Sequence, residues 1–301
     1  MKTRPVGIFY EHPLNVVPLF KELERRRIPF IRIFAANHQY NPAEREVPFS
    51  LLINRVSSSA HTRGNSQGVF HSAHYLKHVE RLGTTVINGT PAHEIESSKA
   101  RQIELLAELG LPFPRTKIVN HIDQLIPAAL SLRFPIVVKI SQPGRSGGLQ
   151  RFASVTALRK AISHQQIHLG VDHTAVIQEF IPANDGHVVR VETLNGKFLY
   201  AVKVPAGLHN PGKIPFEPYS PPQKIVEDVE RIIKYARIDV GAVEYVVSAT
   251  NEQVYYCNII ALSNFVGEET IGFDANVSLV DYIEDKIKPS YEFDLAPGSL
   301  E

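Results

Sequence analysis

The chain has 301 residues, 44% of them hydrophobic and 21% charged, with a net charge of +1. That is an ordinary balance for a globular protein of two or three subdomains, and it gives no reason to expect nucleic acid or an acidic membrane as partner. One cysteine, Cys257, excludes an intrachain disulfide and fits a reducing compartment. No apolar run approaches the roughly 20 residues that span a bilayer, and no signal-peptide core follows the start, so the expectation is a cytoplasmic protein.

Read in chain order, the first third alternates strand and helix. Apolar strands are expected at 5–10, 29–34, 50–53 and 84–87, and helical spacing at 12–27 and 68–82. Such alternation predicts a mostly parallel, Rossmann-like sheet. No G-x-G-x-x-G follows the first strand, which argues against a dinucleotide site there. His71, His74 and His78 come closest to a histidine cluster, and solvated helix surface explains them better than a metal.

A helix over 97–109, opened by Ser97 or Ser98 and stopped at Gly110, leads into LPFPRT, whose prolines force extended chain. Beyond it, strands are expected at 115–119, 134–140, 149–152 and 175–180, with helices at 121–132 and 154–164. Asn195-Gly196 between two β-rich runs, 187–194 and 197–204, is a strong hairpin signal. The Pro-rich stretch 205–222 carries no regular pattern and predicts a mobile loop over a site. A helix at 222–235 and strands at 242–248 and 253–260 follow. A last helix near 276–286 precedes a Pro-, Ser- and acid-bearing end that predicts fraying from Lys288.

The final pair of strands holds a puzzle. Period-2 alternation puts Glu244 on one face with Ala242 and Val246, an acid on an apolar surface, and a buried carboxylate needs a partner. The return strand offers Cys257, Asn258 and Ile260. Elsewhere, Lys139 ends an apolar strand before the Gly- and Ser-rich loop SQPGRSGG, where lysine and backbone N–H groups can hold phosphate oxygens, although the loop is not a P-loop. Arg190 and Lys203 sit on the paired strands of the Asn195-Gly196 hairpin, either as cations for a phosphate or as solvent-facing residues.

Taken together, SKARQIELLAELGLPFPRT (98–116), PIVVKISQPGRSGG (135–148), VIQEFIP (176–182), VVRVETLNGKFLYAVKV (188–204) and VEYV with ALSNF (243–265) resemble the RimK-like ATP-grasp family. VINGT at 86–90 matches as well. The resemblance implies an α/β (α+β) fold, a Rossmann-like pre-ATP-grasp domain at 1–94, a central subdomain with its linker helix at 95–182 and a C-terminal subdomain at 183–301. It also implies an ATP-dependent carboxylate–amine ligase acting through an acyl phosphate on amino acids or small carboxylates, with ATP and Mg²⁺ as cofactors. By position, Lys99 and Lys139 resemble the phosphate-binding lysines and Ser146, Gly147 and Gly148 the loop over them. Gln178, Glu179, Phe180 and Ile181 resemble the adenine hinge. Asp185 stands nearest to the ribose-binding acid, because the expected position near Val188 is not acidic. Arg190 and Lys203 resemble the cations at the reacting phosphate, and Glu244 the first magnesium carboxylate.

The chain departs from the pattern at the second metal segment, where acid-x-Asn is expected. Counting back from Ala261 gives Asn258 and Ile260, and counting forward from Tyr256 gives Cys257 and Ile259 with one residue inserted. A one-residue slip exchanges faces, so the register stays open, and neither choice supplies a carboxylate. Asn258 can give a neutral oxygen, and Glu268 and Glu269 follow a few residues on. The alternative reading is therefore an ATP-binding relative without turnover, in a binding or regulatory role. Arg55 or Arg63, in a basic loop after a strand end, is expected to recognise a substrate carboxylate. Oligomeric state is left open, a homodimer included.

Overall fold

The computed structural model describes residues 4–140, 148–206 and 216–294. Its first part is β1 (Val6–Tyr10), α1 (Pro13–Arg25), β2 (Phe30–Phe34), β3 (Leu51–Arg55), α2 (Ser66–Arg81) and β4 (Thr85–Ile87). These strands pair in parallel in the order β2-β1-β3-β4, as the strand–helix alternation predicts. Val16, Leu19, Phe20 and Leu23, at helical spacing on α1, pack on one face of the sheet. The other face meets Tyr75, Leu76 and Val79 of α2. His74 is exposed, but His78 is buried and lies against Tyr40, so the histidines of α2 are not all the solvated surface expected.

Two helices follow where one is expected: α3 (Thr90–Ser97) and α4 (Lys99–Glu108). The break falls at Ser98, which is extended and accepts a hydrogen bond from the Arg101 N–H, so Lys99 opens α4. A second sheet contains β5 (Thr116–Val119), β6 (Ile136–Ile140), β7 (Leu149–Phe152) and β8 (Ala175–Glu179), ordered β5-β8-β6-β7 and antiparallel. α5 (Leu125–Leu130) and α6 (Val155–Ser163) cover the face that carries Ile136, Val138 and Ile140. Alternation therefore turns Lys139 to the uncovered face.

The third sheet is β9 (His187–Leu194), β10 (Lys197–Pro205), β11 (Glu217–Tyr219), β12 (Val240–Val247) and β13 (Val254–Ile260), ordered β11-β10-β9-β12-β13. Asn195 and Gly196 both have positive φ, the conformation a two-residue hairpin turn requires. β11 corrects the expectation of an irregular 205–222 stretch, because Ala201 pairs with Tyr219. Residues 207–215 lie outside the described ones. α7 (Gln223–Tyr235) packs Val229, Ile232 and Ile233 on one face of this sheet. A short α8 (Glu268–Ile271) precedes α9 (Ala275–Asp294), which returns to α1 and continues past Lys288 rather than fraying there. Among the described residues no helix is long and apolar enough to cross a membrane.

One side chain joins the first and third sheets. Asn88, buried and at φ 54° just after β4, donates from Nδ2 to the carbonyls of Val240 (2.8 Å) and Ala261 (2.7 Å). Its Oδ1 accepts from the N–H groups of Asp239 (2.8 Å) and Val240 (3.0 Å). All four bonding positions of the amide are thus used on backbone 151 or more residues away. Asn88→Ala strips partners from buried backbone groups and is expected to cost about 3 kcal/mol of stability. Urea unfolding measures this, and a loss below about 0.5 kcal/mol would contradict the joint.

Candidate functional site

The site forms where the uncovered face of β6 and the start of α4 meet β13. Lys139 Nζ donates to the Cys257 carbonyl at 2.8 Å, and Lys99 Nζ donates to Asn258 Oδ1 at 2.6 Å and Gln102 Oε1 at 3.1 Å. Burial is the first cause that lowers both lysine pKa values, and each ammonium also lies in the field of Glu244, which opposes that shift. Lys139 adds to the depression of Lys99.

The register of the last two strands answers the question that counting left open. Glu244 pairs with Asn258 and Ala242 with Ile260, while Tyr245 pairs with Tyr256. Cys257 is the extra residue of a β-bulge. The bulge removes Cys257 from the regular ladder, and its carbonyl is the one that Lys139 takes. The acid on the apolar face also gains its partners: Asn258 Nδ2 donates to Glu244 Oε2 at 3.0 Å, and Arg190 Nη1 lies 3.6 Å from Glu244 Oε1. The return strand supplies one and β9 the other.

Arg190 is the hub of a second shell of contacts. Its Nε donates to Glu192 Oε1 at 2.7 Å and its Nη2 to Ser263 Oγ at 2.9 Å. Burial opposes its charge, but Glu192 and Glu244 outweigh that and raise its pKa. Arg55, at the end of β3, reaches across to Asn264 Oδ1 at 2.6 Å. Glu96 ties the neighbouring loop down, accepting from Ser57 Oγ (3.0 Å), Ser58 Oγ (3.1 Å) and the Ala261 N–H (3.1 Å).

Lys99, Lys139, Arg190, Glu244 and Asn258 are therefore brought together, whereas other expected residues are not. Lys203 pairs with Val189 while Arg190 pairs with Val202, so Lys203 lies on the opposite face of the sheet. There it bonds Asp185 at 2.6 Å, beside the ring of Tyr219. Glu179 is committed to Arg133, whose N–H, Nε and Nη2 lie 3.0–3.1 Å from its carboxylate. Gln178 Nε2 donates to Thr116, and Phe180 stacks under Arg151, with its N–H on the Pro135 carbonyl. Ile181 follows at the exit from this sheet, half-buried. The Gly148 carbonyl accepts from Ile140 N–H at 3.0 Å. Ser146 and Gly147, and the side chains of Glu268 and Glu269, lie outside the described residues. Arg63 is already paired with Glu11, leaving Arg55 as the arginine that faces the site.

Sequence reasoning passed over Glu192, Glu96, Gln102 and Ser263. The signal for Glu192 was present, since it shares a strand face with Arg190 two residues earlier. An open cleft of about 1020 Å³, lined by Lys77, Glu80, Glu230, Arg237 and Asp239, contains none of these groups.

Residues 96–207, which span Lys99, Lys139, residues 178–181 and Arg190, match the model of the RimK-like ATP-grasp domain. The chain contains a RimK-like ATP-grasp domain. A "Probable alpha-L-glutamate ligase" of Vibrio vulnificus (strain YJ016) is 24% identical over 160 residues, covering 52% of this chain and 50% of that protein. The chain thus spans about half the length of that relative. One of the same name from Legionella pneumophila (strain Corby) is 23% identical over 259 residues, covering 80% of this chain and 78% of that one. The ATP-grasp fold extends over nearly the whole chain: a RimK domain protein from Sphaerobacter thermophilus DSM 20745 superposes with a TM-score of 0.72 at 18% identity, covering 92% of this chain and 98% of that one.

The bulge also makes Cys257 a measurable reporter of this arrangement. Burial raises its thiol to about 12, Lys139 pulling the other way. At about pH 8 its reaction with a disulfide reagent is expected to be at least about tenfold slower than that of free cysteine, and to speed up in urea. Equal rates in the folded and unfolded chain would contradict the arrangement.

Proposed function

We propose that the chain is an ATP-dependent ligase that joins a carboxylate to an amine, acting on an amino acid or another small carboxylate in the cytoplasm. The observation that carries this is the convergence of Lys99 and Lys139 on β13 beside Glu244, Asn258 and Arg190. Two partly desolvated ammonium groups now resting on neutral carbonyl oxygens would gain most from phosphate oxygens, whose negative charge offsets their burial. In this reading 1–94 is the pre-ATP-grasp domain, and nucleotide lies between 95–182 and 183–301.

The donor set allows magnesium in one form. Glu244 is the anionic oxygen donor and Asn258 Oδ1 a neutral one, too few for a protein cage but compatible with an ion that shares phosphate oxygens and keeps waters. Bound there, the ion would neutralise phosphate charge. The chain's own residues do the rest. Lys99 and Lys139 hold phosphate oxygens, and Arg190, fixed by Glu192 and Ser263, holds positive charge where a phosphoryl group is transferred. The substrate carboxylate oxygen would attack the γ-phosphorus and release ADP. An amine would then attack the acyl carbon and release phosphate. Lys203 and Asp185 stand as a pair where β9 begins and β10 ends.

One observation favours a second reading, ATP binding without turnover. Asn258 bridges Lys99 and Glu244, and a carboxylate is missing where the family resemblance expects it. Magnesium-dependent ADP release with a panel of carboxylates and amines separates the two. ADP formation that requires both partners supports the ligase; ATP binding with no ADP from any pair refutes it. Lys139→Ala is expected to weaken ATP binding about tenfold to a hundredfold, and unchanged affinity in a calorimetric titration would remove its phosphate role. Asn258→Asp places a carboxylate against Glu244. It is expected to lower the thermal midpoint of the free protein yet tighten Mg·ATP binding, and flat affinity would take Asn258 out of the metal position.

A further inference from the structure

Two buried polar atoms around this site have no hydrogen-bond partner: Nη1 of Arg55, and Oε2 of Glu192, which bonds Arg190 through its other oxygen. They belong to oppositely charged groups on different sheets, and Glu192 is fully buried. Glu192 acts on Arg55 through space, opposing the burial that lowers the arginine to about 10, yet the two atoms do not bond each other. Each group is fastened on its other side. Arg55 Nη2 is held by Asn264, and Glu192 Oε1 by Arg190, which is itself held by Ser263. The two consecutive turn residues after β13 thus anchor both arginines, while one donor of Arg55 and one acceptor of Glu192 have no partner within the protein.

A buried N–H of a guanidinium and a buried carboxylate oxygen without partners are both costly, so what completes them must offer an acceptor to one and a donor to the other. A phosphate or a plain carboxylate satisfies Arg55 but is repelled by Glu192. A plain amine satisfies Glu192 but leaves Arg55 open. A group that carries carboxylate and ammonium on one carbon meets both. We infer that Arg55 and Glu192 form a cradle for the α-ammonium-carboxylate group of a free amino acid, Arg55 taking the carboxylate and Glu192 the ammonium. This deepens the ligase reading and rests on it for the role of the bound molecule: the amino acid is one of the two molecules joined.

The test is calorimetric titration of the full chain with the standard L-amino acids and D-alanine, in the presence of magnesium and a non-hydrolysable ATP analogue. For each amino acid that binds, its N-acetyl and α-carboxamide derivatives are titrated as well. The expected result is that each modification weakens binding by about tenfold or more, since it removes one charged hydrogen bond. Arg55→Gln should abolish the penalty for the carboxamide and keep that for N-acetylation. Glu192→Gln should do the reverse. A merely structural role would weaken all ligands alike, and that outcome overturns the cradle. So does a wild-type protein that binds no amino acid, or that binds the derivatives as well as the parents. If either variant lacks a cooperative urea transition, the wild-type comparison decides alone. Binding with this selectivity but no ADP release would leave the cradle standing and sink the ligase. ADP release with carboxylates and amines that lack the paired group, and no selectivity for amino acids, would do the opposite.

Discussion

The arrangement depends on a single amide. Asn88 stands at the end of the first sheet and bonds backbone of both β12 and the turn after β13. Its backbone is held in turn, since Asn54 Nδ2 donates to its carbonyl and its N–H donates to Asp239 Oδ2. Left-handed φ is tolerated by asparagine better than by most residues, which lets the chain turn from β4 into α3 at this point. Gly241, next to the anchored Val240, permits close approach within the third sheet: a Cβ there would lie 2.7 Å from the Ile260 carbonyl oxygen. With the two sheets locked at this edge, the end of β3 is placed opposite the Ser263–Asn264 turn. Arg55 is thereby brought against a turn 209 residues later in the chain.

Around that joint the site is a problem in charge balance at low dielectric. Lys99, Lys139, Arg55 and Arg190 face Glu96, Glu192 and Glu244 at close quarters. The arginines are held by consecutive turn residues, and the lysines rest on oxygens of the bulged strand. Burial shifts the two lysines and Arg55 down, whereas Glu192 and Glu244 outweigh it at Arg190. The bulge at Cys257 lies in the edge strand β13, and the carbonyl of its extra residue accepts from Lys139.

Much of the layout was legible in the chain. The alternation of strand and helix anticipated the parallel front sheet, and Asn195-Gly196 marked the β9–β10 hairpin of the third sheet. Glu244 stood out as an acid on an apolar face because alternation in a strand is strict. Lys99 and Lys139 were legible through a resemblance of ordered motifs rather than through any property of a lone lysine. Less legible were short elements. α3 hid in HEIES ahead of Ser98, and β11 hid in a Pro-rich stretch because its pairing is with β10, far from anything local.

By itself, then, the sequence determined the order of elements, the family resemblance and the candidate cations, since periodicity, turn chemistry and motif order are local. Only the tertiary structure decided which of those residues meet. A one-residue bulge sets Asn258 rather than Cys257 opposite Glu244, and no count along the strand could have distinguished them. Strand parity sends Lys203 to the face away from Arg190. Arg55 and Arg190, from two different sheets, meet consecutive turn residues that lie 209 and 73 residues away in the chain. Such contacts follow from how faces pack, and packing is a property of the whole fold.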